Sequence, residues 1–193
     1  MHPDIYQPMT KLQKRELVEM VLYILHKTGG TDLYHVLKIL YFAEQKHLLE
    51  WGTKMIPDDF HAYEYGPVPD QLYKAVHNNL KYGNELPKMF EDAFHFAGND
   101  APNVLLPNRE PEMEWLSKAD VECLDASIEE NIGLSFGQLL KKSHDDAWLE
   151  AWTRAKAGSD DTMDSVSIAR AAGASEGLLE YIEEQMEIDL ALR

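Results

Sequence analysis

A single cysteine, Cys123, occurs in this 193-residue chain, which excludes an internal disulfide and any thiolate cluster for zinc. Basic residues are scarce: 18 Lys and Arg face 34 Asp and Glu, for a net charge of −16. The shortage is uneven. Residues 1–109 carry 11 basic and 14 acidic groups, against 7 and 20 over residues 110–193. Phosphate backbones are bound through Lys and Arg with release of counterions, so the balance opposes nucleic acid as a partner, and anionic membrane surfaces for the same reason. A basic protein surface is favoured, because long-range attraction would steer the encounter. Acidity that merely keeps a surface solvated accounts for the same numbers equally well. No apolar run approaches the roughly 18 residues of a membrane span, and the opening stretch, residues 1–16, lacks the basic-then-apolar order of a secretory signal. With the lone cysteine, these absences predict a cytoplasmic protein. No glycine-rich phosphate loop is present either, since Gly29-Gly30 has no following Gly-Lys-Ser/Thr.

What the chain does have is helical periodicity. With 45% hydrophobic residues, it can bury a core without staples. Thr10-x-x-Gln13 has the form of a capping box, and Leu17, Val18, Val21, Leu22 and Leu25 follow at helical spacing. Gly29-Gly30 suits a helix end. Thr31 is the candidate cap of a second helix with an inward stripe of Leu33, Val36, Leu37, Leu40 and Tyr41, ending near Trp51-Gly52. Phe60 to Tyr65 alternates with period two and predicts a strand. Gly66-Pro67-Val68-Pro69 is expected to break it and open a third helix bearing Leu72, Ala75, Val76, Asn79 and Leu80. Residues 94–96 and 104–106 are short strand candidates that could join residues 60–65 in one three-stranded sheet. From Ser117-x-x-Asp120 onward the chain is helical again, with a further start at Ser135-x-x-Gln138 and a restart at Ser143-His144-Asp145. Gly158 to Asp161 is the best linker candidate, followed by helices near 165–172 and 175–191. The fold expected is mainly α: a compact helical domain over residues 1–157 with a small antiparallel β element, and a C-terminal helical hairpin over residues 158–193.

Several pieces occur in a telling order. Lys38-Ile39-Leu40-Tyr41-Phe42-Ala43-Glu44 precedes Phe60-x-Ala62 and then Tyr65-Gly66-Pro67-Val68. Leu116-Ser117 with Asp120-x-Glu122-x-Leu124-Asp125, Leu134-Ser135-Phe136, and Ser143-His144 with Ala147-Trp148 follow. Taken together, this resembles the Panacea domain family of SocA-like antitoxins and phage-associated proteins, over roughly residues 31–155. The resemblance implies a mostly helical recognition module that neutralises a toxin encoded by an adjacent gene. It also implies no catalytic group, and neither a cofactor nor a metal is expected. At least one member hands its toxin to a protease, which makes a protease a second possible partner. The family core would comprise Lys38, Tyr41 and Phe42; His61, Tyr65, Gly66, Pro67, Val68 and Tyr73; and Ser143, His144 and Trp148. Whether these touch a partner or build its platform is open, with Tyr41, Phe42 and Trp148 expected to be buried.

Each candidate site has a plainer alternative. Gly66-Pro67-Val68-Pro69 could be a rigid recognition corner, since preset φ angles leave little entropy to lose on docking, or simply a turn; Tyr63, Tyr65 and Tyr73 nearby make an aromatic patch plausible. Ser143-His144-Asp145 superficially suggests a triad, but adjacent helical residues diverge by about 100°, so helix capping by Ser143 and Asp145 is the better reading. A hydrolase using His144, His61 and nearby carboxylates is the alternative function. His35, His47, His61 and His77 lack metal-ligand spacing, and only His61 with Glu64, Asp58 and Asp59 forms a mixed cluster. A segment resembling helix-turn-helix at 167–175 would suit a mobile-element DNA-binding regulator. The helix after it, however, carries Glu176, Glu180, Glu183, Glu184, Glu187 and Asp189, which repel phosphate. That acidic face suits a basic protein instead. Charge reversal along 176–189 should weaken partner binding more at low salt than at high salt; equal losses in a salt titration would count against electrostatic steering.

Overall fold

Every residue from Val36 to Glu44 is buried, on all sides of one helix. A helix apolar around its circumference must be surrounded, and the fold is built around this one. The computed structural model describes residues 9–77, 80 and 84–191. In chain order its elements are α1 (Lys11–Thr28), β1 (Thr31–Asp32), α2 (Leu33–Trp51), β2 (Phe60–Tyr63), β3 (Gly66–Pro69), α3 (Asp70–Val76) and α4 (Leu86–Ala93). They continue with β4 (Phe94–Phe96), β5 (Val104–Pro107), a 3-10 turn at Met113–Trp115, α5 (Lys118–Asn131), α6 (Phe136–Ser143), α7 (Asp146–Lys156), β6 (Thr162–Met163), α8 (Ser165–Ala171) and α9 (Glu176–Ala191). The molecule is mainly α with minor antiparallel β, as expected. Helix α2 is the hub, packing on α5 most extensively and also on α1, α6, α8 and β3. Among the described residues, no helix is long and apolar enough to cross a membrane.

Local chemistry sets the helix ends. Thr10 and Gln13, and Ser117 and Asp120, form the reciprocal capping boxes read in the sequence. Thr31 does not cap α2: it pairs in β1, and Asp32 accepts the His35 amide instead. An Asp at this position offers a carboxylate to the first turn, where the helix dipole is positive. Helix α3 begins at Pro69 without a side-chain cap of its own. The buried Asp58 supplies the acceptor from the preceding loop, taking the Leu72 amide at 2.8 Å. Burial pushes its pKa up to about 6, against the pull of the Leu72 and Gln71 amides.

The β structure departs from expectation in three ways. Gly66–Pro69 does not break the strand but is one, pairing antiparallel with β2 from Phe60↔Pro69 to Tyr63↔Gly66. The prolines are tolerated because β3 is the edge of its sheet, where a missing N–H removes no ladder bond. Second, the predicted strands do not share one sheet: β3-β2-β6 and β1-β5-β4 are separate. Third, the candidate linker is tied down. The Ala62 amide donates to the Asp161 carbonyl at 2.9 Å, and Met163 pairs with Phe60. Residues 86–93, left without a helix in the sequence reading, form α4 with Pro87 in its first turn. Asn79 of the third-helix stripe lies outside the described residues.

One buried ion cluster joins distant parts of the chain. Glu19 is fully buried, with its two oxygens accepting from the Arg109 guanidinium at 2.6 and 2.9 Å and a third bond from the Glu112 amide. Removing Arg109 leaves this desolvated carboxylate with only Arg15 Nε, 3.6 Å away, as a counter-charge. Arg109→Ala should therefore cost about 3 kcal/mol in urea denaturation, and Glu19→Gln in the same background should recover part of it. A loss below about 1 kcal/mol, the range of surface pairs, would contradict this.

Candidate recognition site

Helical spacing places Lys38, Tyr41 and Gln45 on one face of α2, and three other segments converge on that face. Lys38 is fully buried, and its Nζ donates to the Pro67 carbonyl at 2.8 Å. It also stands 4.9 Å from the centre of the Tyr34 ring, one turn earlier. Desolvation lowers the ammonium pKa to about 7. The loop between β2 and β3 is only Glu64-Tyr65, and Gly66 follows it with φ at 98°. A Cβ there would lie 2.6 Å from Ser143 Oγ and 2.8 Å from Lys38 Nζ. Glycine is therefore required both by the backbone angle and by the close approach of these two side chains.

The His144 segment closes the same corner. Ser143 ends α6, fully buried, with its hydroxyl donating to the Leu140 carbonyl at 3.3 Å rather than capping α7. Asp145 does cap α7: one oxygen accepts the Trp148 amide at 3.0 Å. The other accepts from both the Tyr41 hydroxyl and the Gln45 amide, each at 2.8 Å. Burial, with Asp145 beside it, raises the Tyr41 pKa well above its ordinary value. The His144 ring stacks on Trp148 at 3.6 Å, nearly parallel, while Trp148 Nε1 donates to the Tyr63 carbonyl at 2.9 Å. Burial lowers the His144 pKa, and repulsion from Lys38 adds to the shift.

Of the family-core residues, Lys38, Tyr41, Gly66, Pro67, Ser143, His144 and Trp148 therefore meet at one junction. Phe42 is buried beside it, with the Lys142 ammonium 4.3 Å from its ring centre. Val68 is buried on β3, opposite His61. His61 itself turns to Asp161 at 2.7 Å. The mixed cluster read around His61 is not assembled: Asp58 faces the Leu72 and Asp59 amides. Among the described residues, no group of three His, Cys, Asp or Glu is placed to hold a metal. The expected patch of Tyr63, Tyr65 and Tyr73 is divided. Tyr63 and Tyr73 meet edge to face at 5.2 Å, and Tyr63 donates to the buried Asp70. Tyr65 instead faces Phe136 at 5.9 Å, which in turn lies 4.5 Å from Tyr34.

This second aromatic group was not identified from the sequence. Tyr65 is 56% exposed and Phe136 49% exposed, and Tyr34 donates to the Tyr65 carbonyl at 3.2 Å. Two signals pointed to it. Tyr34 falls one residue outside the inward stripe of α2, and Phe136 opens a helix whose buried side is Leu139 and Ser143. The result is an exposed aromatic ledge resting on a buried polar junction.

The family profile described as Antitoxin SocA-like, Panacea domain matches residues 36–149, more than half of the chain. The matched stretch takes in Lys38, the β2–β3 hairpin, α6 and the His144–Trp148 segment. Neither a curated protein nor a solved structure matches the chain.

Lys38 gives the junction a pH signature. Its pKa falls from 10.5 to about 7 on folding, so between those values the unfolded chain holds a proton that the folded chain has released. Stability from this residue therefore rises with pH across that window. Between about pH 7.5 and about pH 9.5, the stability difference between the unmodified protein and Lys38→Met should shift in favour of the unmodified protein by about 2 kcal/mol, as the cost of the buried amine falls away. A margin that stays constant in urea denaturation across that range would contradict the assignment.

Proposed function

The chain belongs to the SocA-like Panacea antitoxin family, and from that premise we propose that it neutralises a toxin by binding it, through the aromatic ledge of Tyr34, Tyr65 and Phe136. The observation that carries this reading is the pairing of an exposed aromatic surface with a rigid support. Tyrosine and phenylalanine offer large contact areas with few rotatable bonds, the composition of interface hot spots. Their backbone is held by Lys38 on Pro67, by Tyr34 on Tyr65, and by Trp148 on Tyr63. Little conformational freedom is left to lose on docking, so more of the contact energy appears as affinity.

The same geometry gives no support to hydrolysis by His144 and His61. The His144 ring is stacked on Trp148, His61 is paired with Asp161, and the Ser143 hydroxyl is fully buried and donates to the Leu140 carbonyl, so it is bonded to neither imidazole. Binding alone, without a bond made or broken, is the activity inferred. The partner is a protein with a basic region, encoded by a neighbouring gene, drawn in by the acidic second half of the chain. Residues 158–191 act as part of the same domain: β6 adds to the β2–β3 sheet, and α8 packs on α2 and α7. Handing a bound toxin to a protease would use the same complex, and the cytoplasm is where it would form.

Co-expression with the product of the adjacent gene tests the proposal. That product should arrest growth alone, be rescued by this chain, and copurify with it. The double variant Tyr65→Asp with Phe136→Asp should fold, since both side chains are exposed, yet lose rescue and weaken binding by roughly 100-fold, as expected for two hot-spot aromatics. Full rescue by a stably folded double variant would place the interface elsewhere. A harmless neighbour with no complex would refute the antitoxin role.

A further inference from the structure

Helix α2 is surrounded from Val36 to Glu44 but emerges at its C-terminal end. Leu48 is fully buried, whereas Leu49, about 100° further round the helix, is 39% exposed. Trp51 is 49% exposed. With Lys46 and Glu50 they form one wall of a groove of about 360 Å³, whose other wall is Glu122, Cys123 and Ala126 of α5. Large apolar side chains left exposed together mark interaction sites, and tryptophan is among the side chains most enriched in interface hot spots. Roughly 25 Å of helix separates Trp51 from Tyr34 and the aromatic ledge.

The charge around the groove decides what can sit there. Lys46 is already held by Glu130 at 2.6 Å. Glu50 is exposed and has no ion pair among the described residues. Glu122 is also exposed and pairs with Lys118 at 3.4 Å, where the lysine side chain is almost fully solvated; such a pair is weak and yields to a better-placed partner. The Cys123 thiol between them records the field. Burial pushes it up to about 11, with Asp120, Glu50 and Glu122 adding to the rise and Lys46 opposing it. Helix α9 extends the same character past the end of α2. A Cβ on Gly52 would lie 2.7 Å from the exposed Tyr181 ring, Glu184 stands one turn on, and the helix carries no Lys or Arg. Nucleic acid and anionic lipid would be repelled here, and a second copy of this chain would set Glu50 and Glu122 against an equally acidic surface. An apolar centre with an acidic rim is complementary to a basic protein segment carrying an apolar anchor.

We propose that the α2–α5 groove is a docking surface for a basic segment of another protein. One branched aliphatic side chain of that segment packs on Leu49, Trp51 and Ala126, and the Lys or Arg residues on either side of it meet Glu50 and Glu122. The groove and the aromatic ledge lie at opposite ends of α2, so this surface does not rest on the toxin-binding reading.

Amide NMR of the isotope-labelled full chain, titrated with the acetylated and amidated peptide Lys-Lys-Leu-Leu-Lys-Lys, tests it. Saturable shifts are expected at Leu49, at Ala126 and at the Trp51 amide and indole, with Tyr34, Tyr65 and Phe136 unmoved. Replacing both leucines of the peptide by serine, or its lysines by glutamate, should weaken binding roughly 10-fold or more. Raising salt from about 50 to about 300 mM should weaken it as well. The double variant Glu50→Lys with Glu122→Lys changes only exposed side chains and should lose roughly 10-fold in affinity; Leu49→Asp should do the same. Circular dichroism and melting confirm that both are folded. The Tyr65→Asp, Phe136→Asp double variant should bind the peptide as the unmodified chain does, which separates failure of this surface from failure of the ledge. Four results would overturn the proposal: no saturable binding, shifts confined to α9, affinity indifferent to the leucines, or affinity unchanged in both folded groove variants. Shifts of Leu49 and Trp51 on concentrating the chain alone would also overturn it, by assigning the groove to a second copy.

Discussion

The bond from Lys38 Nζ to the Pro67 carbonyl ties together the parts of this molecule that matter most. An ammonium without exposure to water is costly, and a single carbonyl and an aromatic face do little to offset the desolvation, as its lowered pKa records. A group retained at such cost fixes geometry more than it adds stability. Here it sets the distance between the central helix and the β2–β3 edge. Gly66 must then be glycine, because Lys38 and Ser143 occupy the space of a side chain. Asp145 repeats the arrangement one turn along α2, drawing Tyr41 and Gln45 to the start of α7. The first clasp holds the hairpin directly, and the second holds α7, whose Trp148 donates to the hairpin's Tyr63 carbonyl.

The proposed function follows from what those clasps present. The buried junction has no access for a substrate at Ser143, and its histidine is packed between charge and indole. The side chains left outside are Tyr65 and Phe136, supported by Tyr34. The residues of the family-matched stretch thus divide into a buried support, from Lys38 to Trp148, and an exposed pair, Tyr65 and Phe136. Much of the family-matched stretch, from Lys38 to Trp148, builds the support.

Much of this was legible in the sequence. The long helices could be read because apolar spacing and capping boxes act locally: Thr10 with Gln13, Ser117 with Asp120, and Ser135 with Gln138 all behave as the pattern requires. The Phe60–Tyr63 strand was visible from its alternation. What failed depended on neighbours far along the chain. Gly66–Pro69 reads as a breaker until it is known to be an edge strand, and Gly158–Asp161 reads as a linker until Asp161 is seen to accept from Ala62. The separation of the two sheets likewise depends on which strands the helices bring together. At the site, Lys38, Pro67 and His144 could be named from the resemblance, but not their burial, which sequence spacing does not encode. Phe136 belongs to the resemblance too, but nothing local shows that its side of α6 faces outward.

The most direct measurement is hydrogen–deuterium exchange of the chain with and without the product of the adjacent gene. The account predicts slowed exchange in the complex over the Glu64–Gly66 turn, the start of α2 at Leu33–His35 and the start of α6 at Ser135–Leu139. The amides around Lys38 should be slow in both states. Protection confined to other surfaces, with these three segments unchanged in a confirmed complex, would contradict it.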